Sequence, residues 1–167
     1  MYFSFFMDET KPRPKITDEK VGLAKAEHFC AYQERSQQEV RDKLYEWGLY
    51  PNAIENIIST LIANNFLSEE RFALAYVRGK FNMKAWGKNK IRQGLKLKRV
   101  SDPLIRKALQ AIDPDDYYRT LEKIIDKKVE QLKENDPFKR RYKIQQYALS
   151  RGFENDLIVD CLKHRGL

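Results

Sequence analysis

The sequence has 167 residues, of which 42% are apolar and 34% are charged. This composition is sufficient for packed cores and excludes a disordered tail. Lysine and arginine outnumber aspartate and glutamate by 32 to 24. The resulting net charge of +8 indicates an anionic partner, either nucleic acid or an acidic protein groove.

Cysteine and histidine are sparse in this chain. Cys30 and Cys161 lie far apart, and there are only two histidines and no CxxC pair. This pattern supplies neither a disulfide framework nor a zinc site, so we expect both cysteines to be small apolar residues of the core. We expect no metal ion and no other cofactor.

The N-terminal segment, residues 1–17, is apolar for only a few residues and continues with charged residues and prolines. A secretory signal has a basic leader and a longer apolar run, and a membrane anchor needs about 20 apolar residues. We therefore expect a mobile or irregular arm over residues 1–17, in a cytoplasmic protein that does not associate with membranes.

An internal repeat occupies the rest of the chain. Residues 36–61 align with residues 87–112 at a constant offset of 51, and a third copy lies 53 residues later. Apolar residues recur at matching positions, as with Val40, Ile91 and Ile144. Three copies in one register indicate a repeated structural unit.

Each copy is predicted to be helical. Ile54, Ile57, Ile58 and Leu61 follow the i, i+3, i+4, i+7 spacing of an amphipathic helix, and period-2 alternation is absent. Glycine or proline separates two such helices within a copy. A further helix precedes each pair, and the three preceding helices are predicted over residues 18–33, 68–83 and 115–133.

The predicted fold class is therefore all-α, with three tandem three-helix modules that form an elongated, curved array. The module boundaries are predicted at 18–67, 68–112 and 113–167. Units of about 50 residues hold little core individually, so we expect each module to depend on its neighbours for part of its burial.

The positive charge is concentrated in the second module. Residues 68–112 contain 12 basic and 3 acidic residues, whereas the first and third modules are close to balance or slightly acidic. On a helix that begins near Lys88, the side chains of Lys88, Arg92, Lys96 and Arg99 are predicted to form one charged stripe. The alternative interpretation is an ordinary solvated face.

Further basic residues widen this candidate binding surface. Lys90 and Lys98 flank the stripe, and the end of the preceding helix adds three cations, which are Arg78, Lys80 and Lys84. The third copy repeats the pattern with Lys139, Arg140, Arg141 and Lys143. We predict that these residues contact a protein partner or DNA.

Two other residues in the basic segment have open interpretations. Trp86 either stacks on a base or a partner or packs against the local core, and the core is the favoured interpretation. Gly94 interrupts a helix, at a cost of about 0.5–1 kcal/mol relative to alanine, which indicates either close packing of another backbone or simple tolerance.

Catalytic motifs are absent from the sequence. It contains no glycine-rich phosphate loop, no nucleophile elbow and no pair of histidines four residues apart. His28 and His164 are isolated, and the carboxylates are interpreted as solvated or ion-paired on helix faces. We expect no enzymatic activity.

Two stretches carry a family resemblance. Residues 66–101, FLSEERFALAYVRGKFNMKAWGKNKIRQGLKLKRVS, combine an acidic helix start, an ERFA-like run and a WG pair followed by a basic segment. Residues 35–67, RSQQEVRDKLYEWGLYPNAIENIISTLIANNFL, precede them. Together they resemble the RecX family of recombination regulators, although Lys98-Arg99-Val100 stands where that family usually has a glycine turn.

The resemblance implies a protein that binds the RecA recombinase and its nucleoprotein filament. Family members restrain filament growth or promote disassembly, and so lower ATPase activity, strand exchange, DNA repair and the SOS response. The implied partners are RecA and the RecA–DNA filament, with weak, sequence-independent DNA contact, and we expect a monomer. Lys88, Arg92, Lys96 and Arg99 are predicted to provide most of the electrostatic attraction.

The competing hypothesis is a helix-turn-helix transcription regulator. A three-helix module with a turn between its last two helices is compatible with that class. Against it, the last helix of the second module, PLIRKALQAI, is mainly apolar and offers few base-reading side chains. A third hypothesis, a scaffold that binds only proteins, predicts no affinity for DNA.

Overall fold

The computed structural model describes residues 15–167, which form two compact units that divide between Leu67 and Ser68. The described residues contain nine α-helices and no strand. The helices are α1 (Glu19–Tyr32), α2 (Gln37–Glu46), α3 (Pro51–Ala63), α4 (Glu69–Lys84), α5 (Lys88–Leu97), α6 (Asp102–Leu109), α7 (Pro114–Gln131), α8 (Pro137–Ser150) and α9 (Asn155–His164). The predicted all-α class and the three helices in each module are confirmed.

The first unit contains α1, α2 and α3 around one apolar core. Its helix starts follow the local sequence: Ser36 and Glu39 form a capping box, in which the Ser36 hydroxyl accepts from the Glu39 amide at 3.1 Å. Most of the predicted N-terminal arm lies outside the described residues. Its last part is attached to this unit, because the Ile16 amide donates to the Trp47 carbonyl at 2.8 Å.

The second unit contains six helices, α4 to α9, and they share a single apolar core. Residues of both the second and the third predicted modules contribute to it, from Phe72 on α4 to Leu162 on α9. Two of its helices begin at side-chain N-caps, since Ser68 accepts from the Arg71 amide and Asp113 accepts from the Asp116 amide. These two modules therefore complete each other's burial, as expected, whereas the first module has a core of its own, contrary to the expectation that every module shares one with a neighbour.

The repeat register is confirmed by burial. Five aligned apolar positions lie inside a core in all three copies, and these positions are Val40, Ile91 and Ile144; Leu44, Leu95 and Ala148; Leu49, Val100 and Phe153; Ile54, Ile105 and Ile158; and Ile58, Leu109 and Leu162. The internal repeat is therefore a repeat of core positions. None of the helices between residues 15 and 167 has the length and apolarity needed to cross a bilayer.

The turn after the second helix of each copy has a left-handed residue at the same aligned position. Gly48 and Gly152 occupy it with φ of 95° and 96°, and Arg99 occupies it in the second copy with φ of 57°. An L-residue with a side chain pays about 1–2 kcal/mol for this conformation, whereas glycine does not. The second module therefore holds a strained residue where the other two have glycine.

We predict that Arg99→Gly stabilises the protein by about 0.5–1 kcal/mol, because the relieved strain exceeds the added entropy of the unfolded chain. Denaturant unfolding measures this difference. The matched control, Arg106→Gly, places glycine inside the exposed part of α6 and should destabilise by about 1 kcal/mol. A loss of stability in the Arg99 variant would contradict the assignment of strain.

Candidate functional site

The basic helix α5 is oriented by two apolar side chains. Ile91 and Leu95 are completely buried in the core of the second unit, as the sequence predicted. This packing turns the other faces of α5 toward solvent, where Lys96 is exposed and Lys88, Lys90 and Arg92 are half-buried. The first turn of the helix contains no acidic residue and its N-cap, Gly87, provides no side-chain hydrogen bond.

Trp86 lies directly before α5 between two lysines. The Lys80 ammonium lies 4.8 Å from the centroid of the Trp86 ring, and that of Lys90 lies 4.6 Å from it. The half-buried ring also packs against the core of the unit, so the favoured interpretation of Trp86 as a core residue is confirmed. Cation–π attraction holds both ammonium groups near this ring without neutralising them.

The other cations of α5 also contact mainly neutral groups. The Lys88 ammonium lies 4.7 Å from the centroid of the Tyr117 ring, and Arg92 donates to the Asn89 side-chain oxygen at 2.9 Å. Within the described part of the chain, Lys88, Lys90 and Arg92 form no ion pair with a carboxylate. Lys96 lies 3.6 Å from Asp102, and both side chains of this pair are more than half exposed.

The predicted stripe of four helical cations is wrong at its last member. Helix α5 ends at Leu97, Lys98 is its C-cap, and Arg99 follows in the left-handed conformation. Arg99 is exposed in the turn and does not continue the helical face of Lys88, Arg92 and Lys96. The helix stops there because its carbonyls are capped by the amides of the turn.

Gly94 leaves room for the side chain of Tyr76, which packs against it from α4. A Cβ atom at this position would overlap the hydroxyl group and ring of Tyr76 on α4. The sequence left two interpretations of Gly94 open, close packing of another backbone and simple tolerance of a glycine. Neither is correct, because the closely packed group is the Tyr76 side chain. The absence of a side chain at Gly94 allows α4 and α5 to pack closely beside the basic residues.

The basic residues at the end of α4 are more open. Arg78 and Lys84 are exposed, whereas Lys80 is half-buried over the Tyr76 and Trp86 rings. We define the α4–α5 basic surface as the cations from the end of α4 to the turn after α5 that contact neutral groups or solvent. Lys96 is included because its pair with Asp102 is largely exposed. The members of the surface are Arg78, Lys80, Lys84, Lys88, Lys90, Arg92, Lys96 and Arg99.

The four candidate cations of α8 have different environments. Arg140 donates to the carbonyls of Val129, Leu132 and Glu134 at 3.0, 3.1 and 3.2 Å, and so satisfies the end of α7. Arg141 donates to the carbonyl of Leu167.

Lys143 forms an ion pair with Glu134 at 2.6 Å, and the Lys143 hydrogen bond lowers the pKa of that carboxyl group. Lys139 is exposed at the start of the helix. Three of the four α8 cations are therefore engaged with carbonyls or a carboxylate.

The α8 cations are also distant from α5 along their own helix. The first turn of α5 contacts Arg151 and Gly152, which follow the last turn of α8. Lys139 and Lys143 lie about 12 to 18 Å from this contact along the helix axis, at a rise of 1.5 Å per residue. The fold thus brings the α4 and α5 cations together, and it places Lys139 and Lys143 roughly two to three helical turns from the junction with α5.

A backbone junction fixes the N-terminus of α5. The Gly87 amide donates to the Arg151 carbonyl at 2.8 Å, and the Asn89 amide donates to the Gly152 carbonyl at 3.0 Å. A Cβ atom on Gly87 would overlap the Gly152 backbone, and one on Gly152 would overlap Lys90. The guanidinium group of Arg151 also donates to the Lys84 carbonyl. These contacts lock the basic helix to the third module.

Tyr117 adds a buried polar link to the same junction. It is 2% exposed, its hydroxyl donates to the Glu154 carboxylate at 2.5 Å, and the same oxygen accepts from the Lys88 amide at 2.9 Å. Burial, reinforced by Glu154, raises the pKa of Tyr117. No local sequence pattern identifies Tyr117 and Arg151 as junction residues, because their partners lie more than 25 positions away along the chain.

The described residues offer no cluster for a metal ion. Between residues 15 and 167, no group of three or more histidine, cysteine, aspartate or glutamate side chains is placed to hold one. Cys30 and Cys161 are buried in the cores of their units, as predicted, and burial raises the pKa of Cys161. The candidate site on α4 and α5 is a charged surface.

The fold and this surface define a class of all-α proteins with three consecutive three-helix modules, of which the second is basic. Family models for RecX match the same parts of the chain. The first three-helix domain matches residues 23–61, the second matches residues 68–109, and the third matches residues 115–162. This chain belongs to the RecX family of regulatory proteins.

Relatives and solved structures agree with this assignment. The regulatory protein RecX of Haemophilus influenzae (strain PittGG) is 32% identical over 136 residues, which cover 81% of this chain and 88% of the relative. That of Clostridium perfringens (strain 13) is 33% identical over 73% of this chain, and that of Clostridium botulinum (strain Alaska E43) is 34% identical over 77%. The chain spans only 58% and 61% of the length of these two clostridial relatives.

The crystal structure of RecX from Lactobacillus salivarius superposes with a TM-score of 0.79 at 25% identity. The alignment covers 87% of this chain and 95% of that structure. A second crystal structure of regulatory protein RecX gives a TM-score of 0.75 at 24% identity, which bears on the fold alone.

We predict that Gly87→Ala destabilises the protein by about 2–4 kcal/mol, because the new methyl group separates two backbones and breaks their hydrogen bonds. Thermal or denaturant unfolding measures the loss. Gly79→Ala is the matched control: apart from its chain neighbours and the backbone of its own helical turn, nothing lies within 4 Å of the added methyl group, and alanine in α4 should stabilise by about 0.5–1 kcal/mol. Equal stabilities of the two variants would contradict the close approach.

We predict that Tyr117→Phe destabilises by about 1–3 kcal/mol, because the Lys88 amide and Glu154 both lose a buried partner. Hydrogen exchange followed by NMR should show faster exchange of the Lys88 amide in particular. Tyr118→Phe is the control, since the Tyr118 hydroxyl contacts the exposed Asp160 and His164 at 3.2 and 3.3 Å. Unchanged exchange at Lys88 would contradict the proposed link.

Proposed function

We propose that this chain regulates homologous recombination and DNA repair by binding the RecA recombinase and its nucleoprotein filament. Its effect is to inhibit filament growth, ATPase activity and strand exchange. The observation that carries the proposal is the α4–α5 basic surface, together with membership of a family of regulatory proteins named RecX. The chain acts as a monomer in the cytoplasm, without a cofactor or catalytic step.

The electrostatics of the surface support an anionic partner. Cations held over aromatic rings keep their full charge, and the partners of Lys88, Lys90 and Arg92 are neutral. Like charges one turn apart on a helix destabilise it by about 0.2–0.5 kcal/mol per pair. Binding to a polyanion or an acidic groove relieves that repulsion and favours the complex.

The mode of DNA contact follows from where the charge lies. In the second module α6 buries Ile105, Ala108 and Leu109, and its Lys107 pairs with Glu70 at 2.6 Å. The final helix therefore has few side chains available for reading base edges. This arrangement favours phosphate contact over an operator-binding regulator, and we propose weak, sequence-independent contact with DNA.

A filament supplies both kinds of anionic group to one bound chain. Exposed phosphates and acidic protein surfaces attract the α4–α5 basic surface, and α5 is held rigidly because its first turn is bonded to the third module. A chain fixed in the filament groove occupies space that an incoming RecA subunit needs. We propose that filament growth is restrained in this way.

The test is simultaneous replacement of Lys88, Arg92, Lys96 and Arg99 by glutamate. We predict that the concentration needed to inhibit RecA ATPase and strand exchange rises at least about tenfold, because attraction becomes repulsion. The control variant replaces four exposed lysines of the third module by glutamate, which are Lys123, Lys127, Lys133 and Lys163. Both variants lower the net charge from +8 to zero, so only the position of the charge differs.

Inhibition that is unchanged in the first variant, or lost equally in both, would contradict the proposed surface. Binding to random and selected DNA at two salt concentrations separates the two functional classes. Strongly salt-dependent affinity without sequence preference supports the filament regulator. A tight, unique operator would instead indicate a transcription regulator.

A further inference from the structure

The first unit contains an aromatic groove of about 450 Å³ formed by α1 and the segment that follows it, with Trp47 at the end of α2. Its walls are the rings of Phe29, Tyr32 and Trp47, its cations are Lys25 and Arg35, and His28 completes the basic lining. The volume lies in the range of sites that hold a small ligand or a single large side chain. We call this feature the α1 groove.

The aromatic wall of the α1 groove is only partly used by the core. Phe29 and Trp47 pack edge to face, with ring centroids 6.2 Å apart, and both rest against the core of the first unit. Tyr32 lies three residues beyond Phe29, and 80% of its surface is exposed. A large aromatic side chain that stands in solvent beside two packed rings leaves apolar surface for a partner to cover.

The charged residues of the α1 groove are all basic. The Lys25 ammonium lies 5.0 Å from the Trp47 centroid, and the Arg35 guanidinium lies 3.9 Å from the Phe29 centroid. The Arg35 Nε atom is buried and has no hydrogen-bond partner among the described residues. No carboxylate belongs to the groove lining in this part of the chain. The complement of such a site is apolar at its centre and anionic at its rim.

We propose that the α1 groove binds an acidic peptide segment of a partner protein, with one aromatic or aliphatic side chain inserted between the rings. Carboxylates on either side of that residue pair with Lys25 and Arg35. A nucleotide is also anionic and planar, but the edges of its base need hydrogen-bonding partners. Rings and cations are poor acceptors for those edges, whereas an apolar side chain loses no hydrogen bond on entry.

This inference does not rest on the proposed function. The α1 groove belongs to the first unit, and the α4–α5 basic surface belongs to the second. The two surfaces can be inactivated separately, so one can fail its test while the other passes. The groove also belongs to a module that is slightly acidic as a whole, so its local cations are not a consequence of net charge.

Isothermal titration calorimetry with the full chain tests the proposal. The probe is a nine-residue peptide with one central phenylalanine, two glutamates on each side of it and serine elsewhere. We predict saturable binding that weakens about tenfold in Tyr32→Ala and about fivefold or more in Lys25→Glu. Both positions are exposed, so neither change removes a core contact.

Matched substitutions in the same unit isolate the groove. Tyr50→Ala removes another exposed tyrosine, 72% exposed, and Lys20→Glu reverses an exposed charge on the same helix outside the lining of the groove. Both should bind the peptide like the unaltered chain. Replacing the phenylalanine by serine, or the four glutamates by lysines, should abolish binding.

Four outcomes would overturn the proposal. These are no binding of the acidic peptide, equal binding of the peptide with serine in place of phenylalanine, equal loss in the Tyr50 and Lys20 controls, and preferential binding of a short single-stranded oligonucleotide that depends on Tyr32. Self-association that is lost in Tyr32→Ala would likewise assign the groove to a second copy of this chain.

Discussion

The close approach of two glycines holds the basic helix in place. Gly87 and Gly152 bring the start of α5 and the turn before α9 within hydrogen-bonding distance, at 2.8 and 3.0 Å. The N-terminus of α5 is intrinsically unstable, because the lysines in its first turn interact unfavourably with the helix dipole and Gly87 provides no side-chain cap. The contact between the two backbones offsets this instability. Burial of Ile91 and Leu95 supplies the remaining stabilisation. The second and third modules must therefore fold together for the cationic surface to have a defined geometry.

The helices and cores could be predicted from sequence because their determinants are local and repeated. Apolar spacing places Val40, Ile91 and Ile144 at one interior position, and the same holds along the second and third helix of each copy. Cap residues such as Ser68 and Asp113 act within three residues of their own position, so their roles are visible in the sequence. The division into two units was not predicted. It depends on the shared core of two modules, which is a property of packing in three dimensions.

The site was harder to predict because the role of a charged side chain depends on distant partners. Arg140 and Lys139 are adjacent and alike in sequence, yet Arg140 caps α7 while Lys139 is exposed. Arg99 fits the spacing of a helical stripe, but the turn that ends α5 removes it from that face. Tyr117 is a buried core residue, and its hydrogen bonds to the Lys88 amide and Glu154 arise only when α7, α5 and the start of α9 meet. Counting charged residues along the sequence identifies the region that carries a basic surface. The contacts of each side chain in the folded protein determine which of those residues belong to the surface.

The partner of each cation determines whether that cation has a structural role or is available to bind a ligand. A cation that is hydrogen-bonded to a carboxylate or to several carbonyls must break those bonds before it can bind a ligand, and their loss weakens the binding. A tryptophan or tyrosine ring attracts a cation by only about 0.5–1 kcal/mol at an exposed site, and the ammonium group keeps its remaining donors for water or a ligand. Lys80, Lys88 and Lys90 have ring partners, so an incoming anion can bind them while the rings still orient the groups. The same arrangement, Lys25 over Trp47, recurs in the α1 groove. In both units, aromatic rings hold basic side chains in position, and these side chains remain able to bind an anion.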